Sequence, residues 1–187
     1  MGGSHPMNSF TRPAAWAVQG VTVVLSVLVG LVTLAPAFTM AAFRGKVVGV
    51  ADGDTITALR DDKTTSRIRL HGIDAPEKGQ PFGNRAKQYA SELTFGNIVT
   101  VEPTDRDQYG RIVADVRLPD GRSLNREMVR AGLAWWYRRY SHDPELARLE
   151  AEARAARRGL WADPHPVPPW EWRRARGAAV PSNSGRH

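Results

Sequence analysis

The residues with the most potential chemistry lie in one stretch, residues 52–77, which reads DGDTITALRDDKTTSRIRLHGIDAPE. Asp54 stands near its start, and Asp74 and Glu77 stand at its end. Arg69 lies between them on an expected strand. Carboxylate oxygens are the ligands that Ca²⁺ and Mg²⁺ prefer, and guanidinium groups bind phosphate. Residues of these types at this spacing could surround a cation and a phosphate.

The carboxylates of this stretch also have simpler interpretations. DG and DAP are common turn sequences, so Asp54 and Asp74 could each be a turn residue. Glu77 could take a proton from water as a general base, or it could be a solvated loop residue. Because two carboxylates are few for an all-protein cation site, we expect an open site that shares its ion with a substrate.

A second arginine lies downstream, directly after Tyr109 and Gly110. A planar guanidinium makes paired hydrogen bonds to phosphate, so Arg69 and Arg111 are the phosphate candidates. A surface cation at a strand end is the alternative for Arg111. Five aromatic side chains could stack on bases, namely Tyr109, Tyr137, Tyr140, Trp135 and Trp136. Core packing is the commoner use of such rings, and we expect at least one tryptophan to be buried.

The composition of the 187-residue chain narrows the possible chemistry. A formal charge of +7 favours an anionic partner such as a nucleic acid or an anionic membrane surface. The chain has no cysteine, which excludes disulfides, thiolate metal sites and thiol nucleophiles. His71, His142 and His165 do not have the spacing of zinc ligands. The lack of a G-x-S-x-G motif and of a phosphate-binding glycine loop disfavours acyl transfer and nucleoside triphosphate chemistry.

The hydrophobic pattern predicts short strands with intervening helices. Strands are predicted at residues 46–50, 55–59, 65–71, 99–101, 111–118 and 134–137, with a polar loop at 105–110. Helices are predicted at residues 84–95, at 123–131 and between Asp143, a candidate cap, and Gly159. This order indicates an α+β fold, and a small barrel is one way to remove the edges of the sheet.

The first part of the chain has the pattern of a targeting segment. Residues 13–43 carry no charge, the run 21–34 is rich in valine and leucine, and small residues follow in APAFTMAA. This order predicts a secretory signal with cleavage after Ala37 or Ala41, and a retained membrane anchor is the alternative. We therefore expect a secreted or periplasmic protein, or one attached to a membrane through residues 13–43.

Three regions follow from these patterns. Residues 1–43 form the signal peptide or anchor, and residues 44–162 form the folded domain. Residues 163–187 form a Pro-rich and basic tail, which we expect to be loose at its end. We expect the protein to be a monomer.

Read together, these residues resemble the staphylococcal nuclease (thermonuclease) family. The matching segments are VADGDTI at 50–56, RIRLHGIDAPE at 67–77, DQYGR at 107–111 and LNREMVRAGLAW at 124–135, in the family's order. The resemblance covers roughly residues 45–161. It implies a five-stranded OB-fold barrel with three helices, and a Ca²⁺-dependent phosphodiesterase that acts on DNA and RNA.

The resemblance also implies roles for individual residues. Asp54, Asp74 and the backbone carbonyl of Ala75 match the family's metal ligands, and only the carbonyl is needed at the last position, where the family's nuclease has threonine. Arg69, Glu77 and Arg111 match its catalytic residues. Among the nucleotide-binding tyrosines, Tyr109 matches directly, whereas Tyr137 and Tyr140 match loosely because WWYRRY departs from the family's pattern. The implied reaction cleaves the 5′ P–O bond and leaves 3′-phosphate ends.

Two other functions are compatible with the composition. An OB-fold can bind nucleic acid without cutting it, and such a module could be exported or membrane-anchored. A membrane-anchored surface protein could instead use its basic domain to bind anionic lipid or polymer. The presence of every catalytic side-chain type of the resembled family favours the enzyme over both.

Overall fold

The structure is a computed structural model, and it describes residues 40–179. The predicted signal or anchor segment lies outside the described residues as far as residue 39. Among the helices of residues 40–179, none is both long enough and apolar enough to cross a bilayer.

The strands and helices follow the predicted order with three additions. The strands are β1 Phe43–Asp52, β2 Thr55–Leu59, β3 Thr65–Leu70, β4 Ile73–Asp74, β5 Ile98–Arg106, β6 Ile112–Arg117 and β7 Trp135–Trp136. The helices are α1 Gly83–Thr94, α2 Leu124–Arg130, α3 Pro144–Ala155 and α4 Pro169–Ala179, with a short 3-10 helix at Gly159–Ala162. The additions are the two-residue β4, the 3-10 helix, and α4.

Five of the strands close into a barrel in the order β1-β2-β3-β6-β5. The β3–β6 pair is parallel, with Ile68 opposite Ile112, and the other pairs are antiparallel. Closure leaves the sheet without free edges. The predicted α+β fold with a five-stranded barrel is confirmed, and the first three helices are those that were predicted.

The barrel interior is filled by apolar side chains that alternate along each strand. On β6, Ile112, Ala114 and Val116 are buried, whereas the residues between them are partly exposed. Ile56 on β2 and Ile68 on β3 are fully buried beside them. Alternate residues of a strand point to opposite faces, so this pattern fixes which side chains of β3 lie outside the core.

Two helices begin at a side-chain cap, and the cap predicted at Asp143 is one of them. Asp143 caps α3 by accepting a hydrogen bond from the backbone N–H of Glu145, and Pro144 lies in the first turn. Ser123 caps α2 in the same way, with Arg126 as the donor. The expectation of a buried tryptophan is also confirmed, since Trp135 and Trp161 are each 7% exposed.

Helix α3 ends at Ala155 rather than at Gly159, where the 3-10 helix begins. Two strand predictions are also wrong. The polar loop predicted at 105–110 starts later, because β5 continues to Arg106 through a register shift after Pro103 and pairs Asp105 with Val113. Strand β1 starts at Phe43, where it pairs with Val101, rather than at Lys46. In both cases pairing with a neighbouring strand extends β-structure into residues whose own pattern is polar or irregular.

Candidate active site

Asp54 and Asp74 come together because the β1–β2 turn lies against the end of β4. Asp54 accepts hydrogen bonds from the backbone N–H of Ala75 at 2.7 Å and from the hydroxyl of Thr55 at 3.1 Å. Asp74 lies on β4, where it pairs with Trp135 of β7. Both aspartates are buried. The two carboxylates, which lie near opposite ends of the 52–77 stretch, therefore share one site.

Glycine permits this close packing at two positions. A Cβ on Gly53 would lie 2.7 Å from the Cβ of Ala86 and 2.8 Å from the Cβ of Ala75, so the turn beside Asp54 has no room for a side chain. A Cβ on Gly83 would lie 2.1 Å from the backbone oxygen of Glu77. Close backbone approach of this kind is a common reason for glycine at a fixed position. The two glycines thus hold the turn before Asp54 and the loop after Glu77 in place.

Arg69 lies between the two buried carboxylates. One guanidinium nitrogen is 3.1 Å from an oxygen of Asp54 and 2.8 Å from an oxygen of Asp74. The other donates to the backbone carbonyls of Leu70 and Ile73 at 2.8 and 2.9 Å. The side chain is therefore fixed by four contacts, and it supplies positive charge where two negative groups are buried.

Burial shifts the proton affinities of the acidic cluster. Burial raises the pKa of Asp52 to about 6, and the negative charge of Asp54 adds to the increase. Burial also raises the pKa of Asp74, while a hydrogen bond from Arg173 and the charge of Arg69 act in the opposite direction. Carboxylates in such surroundings are favourable as anions only when a cation lies against them.

Glu77 extends from the loop after β4 and is held through its backbone. Its N–H donates to the side-chain oxygen of Gln80 at 3.0 Å, and the amide of Gln80 donates to the carbonyl of Val167 at 2.7 Å. The side chain of Glu77 is 36% exposed. This loop is therefore connected to the chain segment that precedes α4.

Arg111 reaches the site from the other side. Its Nε donates to a carboxylate oxygen of Asp107 at 2.6 Å, and a terminal nitrogen lies 3.4 Å from the hydroxyl of Thr55. The guanidinium lies 5.5 Å from the centre of the Tyr109 ring. Through Thr55, which also donates to Asp54, the second predicted arginine is linked to the acidic cluster.

These side chains line one open cleft of about 790 Å³. The predicted aspartates, arginines, glutamate and tyrosines all line it, whereas Ala75, Trp135 and Trp136 do not. Ala75 and Trp135 are buried instead. Tyr137 and Tyr140 lie with ring centres 4.8 Å apart at one wall, and Tyr109 is exposed. The structure thus brings the predicted phosphate-binding, acidic and aromatic residues to one surface.

The structure also brings in residues that the sequence did not single out. Arg173 of α4 lies against Asp74 and Glu77, and Asp52 and Asp107 line the cleft as well. Pro169 can start a helix in which Trp170 and Arg173 share one face, but the sequence does not show what that face packs against. The composition of the tail predicted a Pro-rich and basic segment that is loose at its end, and did not predict helix α4.

The donor set suits a hard divalent cation. Asp54 and Asp74 contact the same nitrogen of Arg69, so their oxygens lie close together. Buried carboxylate oxygens are the ligands that Ca²⁺ prefers, together with backbone carbonyls such as that of Ala75 and with water. Over residues 40–179 there is no group of three or more His, Cys, Asp or Glu side chains with metal-binding geometry.

The closed five-stranded barrel with its helices defines a class, the OB-fold proteins. One cleft of this barrel holds an acidic cluster, two arginines and aromatic rings. A family model described as staphylococcal nuclease homologue matches residues 67–163. An uncharacterized endonuclease of Escherichia coli is 50% identical over 133 residues, which cover 71% of this chain and 86% of that protein. The micrococcal nuclease of Shigella flexneri is 44% identical over 155 residues, which cover 78% and 87%. The chain therefore belongs to the staphylococcal nuclease homologue family, as the sequence motifs predicted.

Proposed function

We propose that the chain is a Ca²⁺-dependent endonuclease that hydrolyses phosphodiester bonds of DNA and RNA. The observation that carries this proposal is the meeting of Asp54, Asp74, Glu77, Arg69 and Arg111 in one cleft. Membership of the nuclease family supports hydrolysis of nucleic acid. The preference of carboxylate oxygens for hard cations supports Ca²⁺.

The acidic cluster holds the cation in this proposal. Asp54, Asp74 and the backbone carbonyl of Ala75 would be its protein ligands, and Arg69 contacts both carboxylates. When bound, Ca²⁺ supplies positive charge to a non-bridging oxygen of the scissile phosphate. The open cleft leaves room for substrate oxygens and water to complete the shell.

Glu77 acts on the attacking water. Its carboxylate lies at the cleft and is partly exposed, so that water and substrate can reach it. As a general base it accepts a proton while the water oxygen forms a bond to phosphorus. The bond from phosphorus to the 5′ oxygen breaks, and the 5′ oxygen takes a proton from solvent. The product is a 3′-phosphate and a 5′-hydroxyl.

The two arginines stabilise charge on the phosphate. Arg69 and Arg111 are each fixed before substrate arrives, by backbone carbonyls in one case and by Asp107 in the other. Donors that are already oriented cost little reorganisation when charge develops in the transition state. Tyr109 and Tyr140 offer exposed ring surfaces for bases, and Tyr137 lies beside Tyr140 with Trp170 stacked on it.

Incubation of the purified full chain with single-stranded DNA, with Ca²⁺ or with a chelator, tests this proposal. We expect cleavage only with Ca²⁺, and products that carry 3′-phosphates and therefore do not prime a polymerase until a phosphatase is added. A parallel series with single-stranded RNA tests the second substrate. DNA that is retained on the protein but stays intact with Ca²⁺ would favour the alternative, an OB-fold binding module without turnover.

Export is the proposed localisation, either as a secreted or periplasmic protein or with residues 13–43 retained in a membrane. Mass spectrometry of the protein recovered from each cell fraction distinguishes these cases. A mature chain that starts after residue 37 or 41 indicates a cleaved signal, whereas an intact chain in the membrane fraction indicates an anchor. A sedimentation measurement on the same sample tests the expected monomer.

A further inference from the structure

The C-terminal helix α4 places a third arginine directly on the acidic side chains of the cleft. Arg173 donates to both oxygens of Asp74, at 2.8 and 3.3 Å, and a terminal nitrogen also contacts the carboxylate of Glu77. These are the side chains to which the proposed function assigns the cation and the attacking water. Arg173 lies outside the residues matched by the family model, which ends at 163.

Aromatic contacts hold α4 in this position. The ring of Trp170 is stacked on Tyr137, with 5.2 Å between centres and 7° between planes. It also makes a T-shaped contact with Trp135, which lies opposite Asp74 in the β4–β7 pair. The hydrogen bond from Gln80 to Val167 fixes the preceding segment. Trp170 and Arg173 lie three residues apart on one face of α4. Packing of the tryptophan against Tyr137 therefore places the Arg173 guanidinium at the cleft.

A divalent cation and the Arg173 guanidinium need the same oxygens. Arg173 contacts both oxygens of Asp74, and its positive charge would repel a cation bound there. The contact with Glu77 likewise occupies the carboxylate that is expected to orient water. The side chain of Arg173 is 44% exposed, in contrast to the 15% of Arg69, so it is the arginine that solvent and ions can displace.

We propose that Arg173 is an autoinhibitory contact, which competes with the cation for Asp74 and with water for Glu77. The inference rests on the proposed function for the roles of these two carboxylates. Binding of the cation and substrate requires the Arg173 ion pairs to open. The apparent affinity for the cation then equals the intrinsic affinity multiplied by the fraction of molecules in which the Arg173 ion pairs are open.

Calcium binding measured by calorimetry on the full chain, with no nucleic acid present, tests the competition directly. Arg173→Met keeps the aliphatic part of the side chain and removes the charge. We expect its Ca²⁺ dissociation constant to be about two- to fivefold lower than that of the parent, the size expected when a partly exposed ion pair is lost. Arg174→Met, one residue along the same helix and exposed, is the matched control and should bind Ca²⁺ like the parent.

A second variant acts on the helix rather than on the charge. Trp170→Ala keeps the arginine at position 173 but removes the ring that stacks on Tyr137. We expect it to bind Ca²⁺ more tightly as well, because α4 no longer holds the arginine over the cleft. The double variant should bind Ca²⁺ no more tightly than Arg173→Met alone, since both changes remove one contact. Circular dichroism of each variant checks that the barrel is intact.

The outcomes separate this inference from the proposed function. Unchanged or weaker Ca²⁺ binding by Arg173→Met overturns the competition, even if the parent cleaves DNA. If that variant instead keeps the parent's Ca²⁺ affinity and loses maximal rate, Arg173 is a phosphate contact and not an inhibitor. If both variants bind Ca²⁺ more tightly but neither they nor the parent cleave DNA, the competition by Arg173 is supported and the proposed nuclease function is overturned.

Discussion

The cleft has two halves that differ in how firmly their side chains are held. The inner half consists of Asp54, Arg69 and Asp74, whose side chains are 8%, 15% and 1% exposed and bonded to one another and to backbone. The outer half includes Tyr109 and Tyr140, which are 74% and 57% exposed, on loops that follow strands. Glu77 and Arg173 also belong to it.

This difference indicates that the two halves of the cleft have different functions. Groups that bind a small ion and a phosphate need fixed positions, because catalytic geometry is sensitive to small displacements. Groups that meet a flexible polymer gain from adjustable positions, since stacking tolerates different bases. Changes in the inner half should therefore affect stability and rate together. Changes in the outer half should affect rate or substrate binding and leave stability unchanged.

The largest effect on rate is expected for Glu77→Gln. The amide keeps the size of the side chain but cannot accept the proton of the attacking water, and loss of a general base typically slows a reaction by about 10²–10⁴-fold. Single-turnover cleavage at saturating Ca²⁺ measures the loss. Thermal unfolding should be unchanged, because Glu77 belongs to the outer half. Glu92→Gln, an exposed glutamate on α1, is the control, and equal rates for Glu77→Gln and the parent would remove Glu77 from the mechanism.

Arg69→Met should lower both rate and stability. Loss of one oriented donor to the phosphate corresponds to about 10²–10³ in rate. Removal of the cation between two buried carboxylates should also cost about 3 kcal/mol in the free energy of unfolding, because their charges are left without this partner. Kinetics and urea unfolding measure the two effects. Arg67→Met changes an exposed arginine of the same strand and should alter neither quantity. A full loss of rate without loss of stability would contradict the claim that the inner half contributes to both catalysis and folding.

A smaller effect is expected for Tyr140→Ala. Stacking of one base on an aromatic ring contributes about 1–3 kcal/mol, so KM for a short single strand should rise while kcat changes little. Steady-state kinetics on oligonucleotides checks this split. Phe95→Ala removes another exposed ring, at the end of α1 and away from the lining of the cleft, and should leave KM unchanged. A fall in kcat alone would indicate that Tyr140 acts in the chemical step and not in binding a base.

The inner half could be predicted from the sequence better than the outer half. The barrel strands show alternating apolar residues, and α3 has its cap and its proline next to each other. Short segments of sequence were therefore sufficient to predict these strands and this helix. Asp54, Arg69 and Asp74 fall within one stretch of chain with turn and strand signals between them.

The position of α4 could not be predicted in this way. Its docking depends on Trp170 meeting Tyr137 and Trp135, which are distant in sequence. A Pro-rich and basic segment gives no local indication of such a partner. The extension of β5 to Arg106 depends in the same way on pairing with β6. In both places, contacts between distant residues determined structure that local composition did not indicate.

Thr55 joins the two halves, and it was not singled out from the sequence because its role requires both of its partners. Its hydroxyl donates to Asp54 and lies 3.4 Å from a nitrogen of Arg111, which Asp107 holds from the outer side. Thr55→Val keeps the shape and removes only the hydroxyl. The loss of one hydrogen bond to a charged group should slow cleavage about tenfold. Thr57→Val on the same strand is the control. If the rate falls and Arg111→Met adds nothing further in the double variant, Thr55 acts by positioning Arg111; if the two losses multiply, it acts through Asp54 alone.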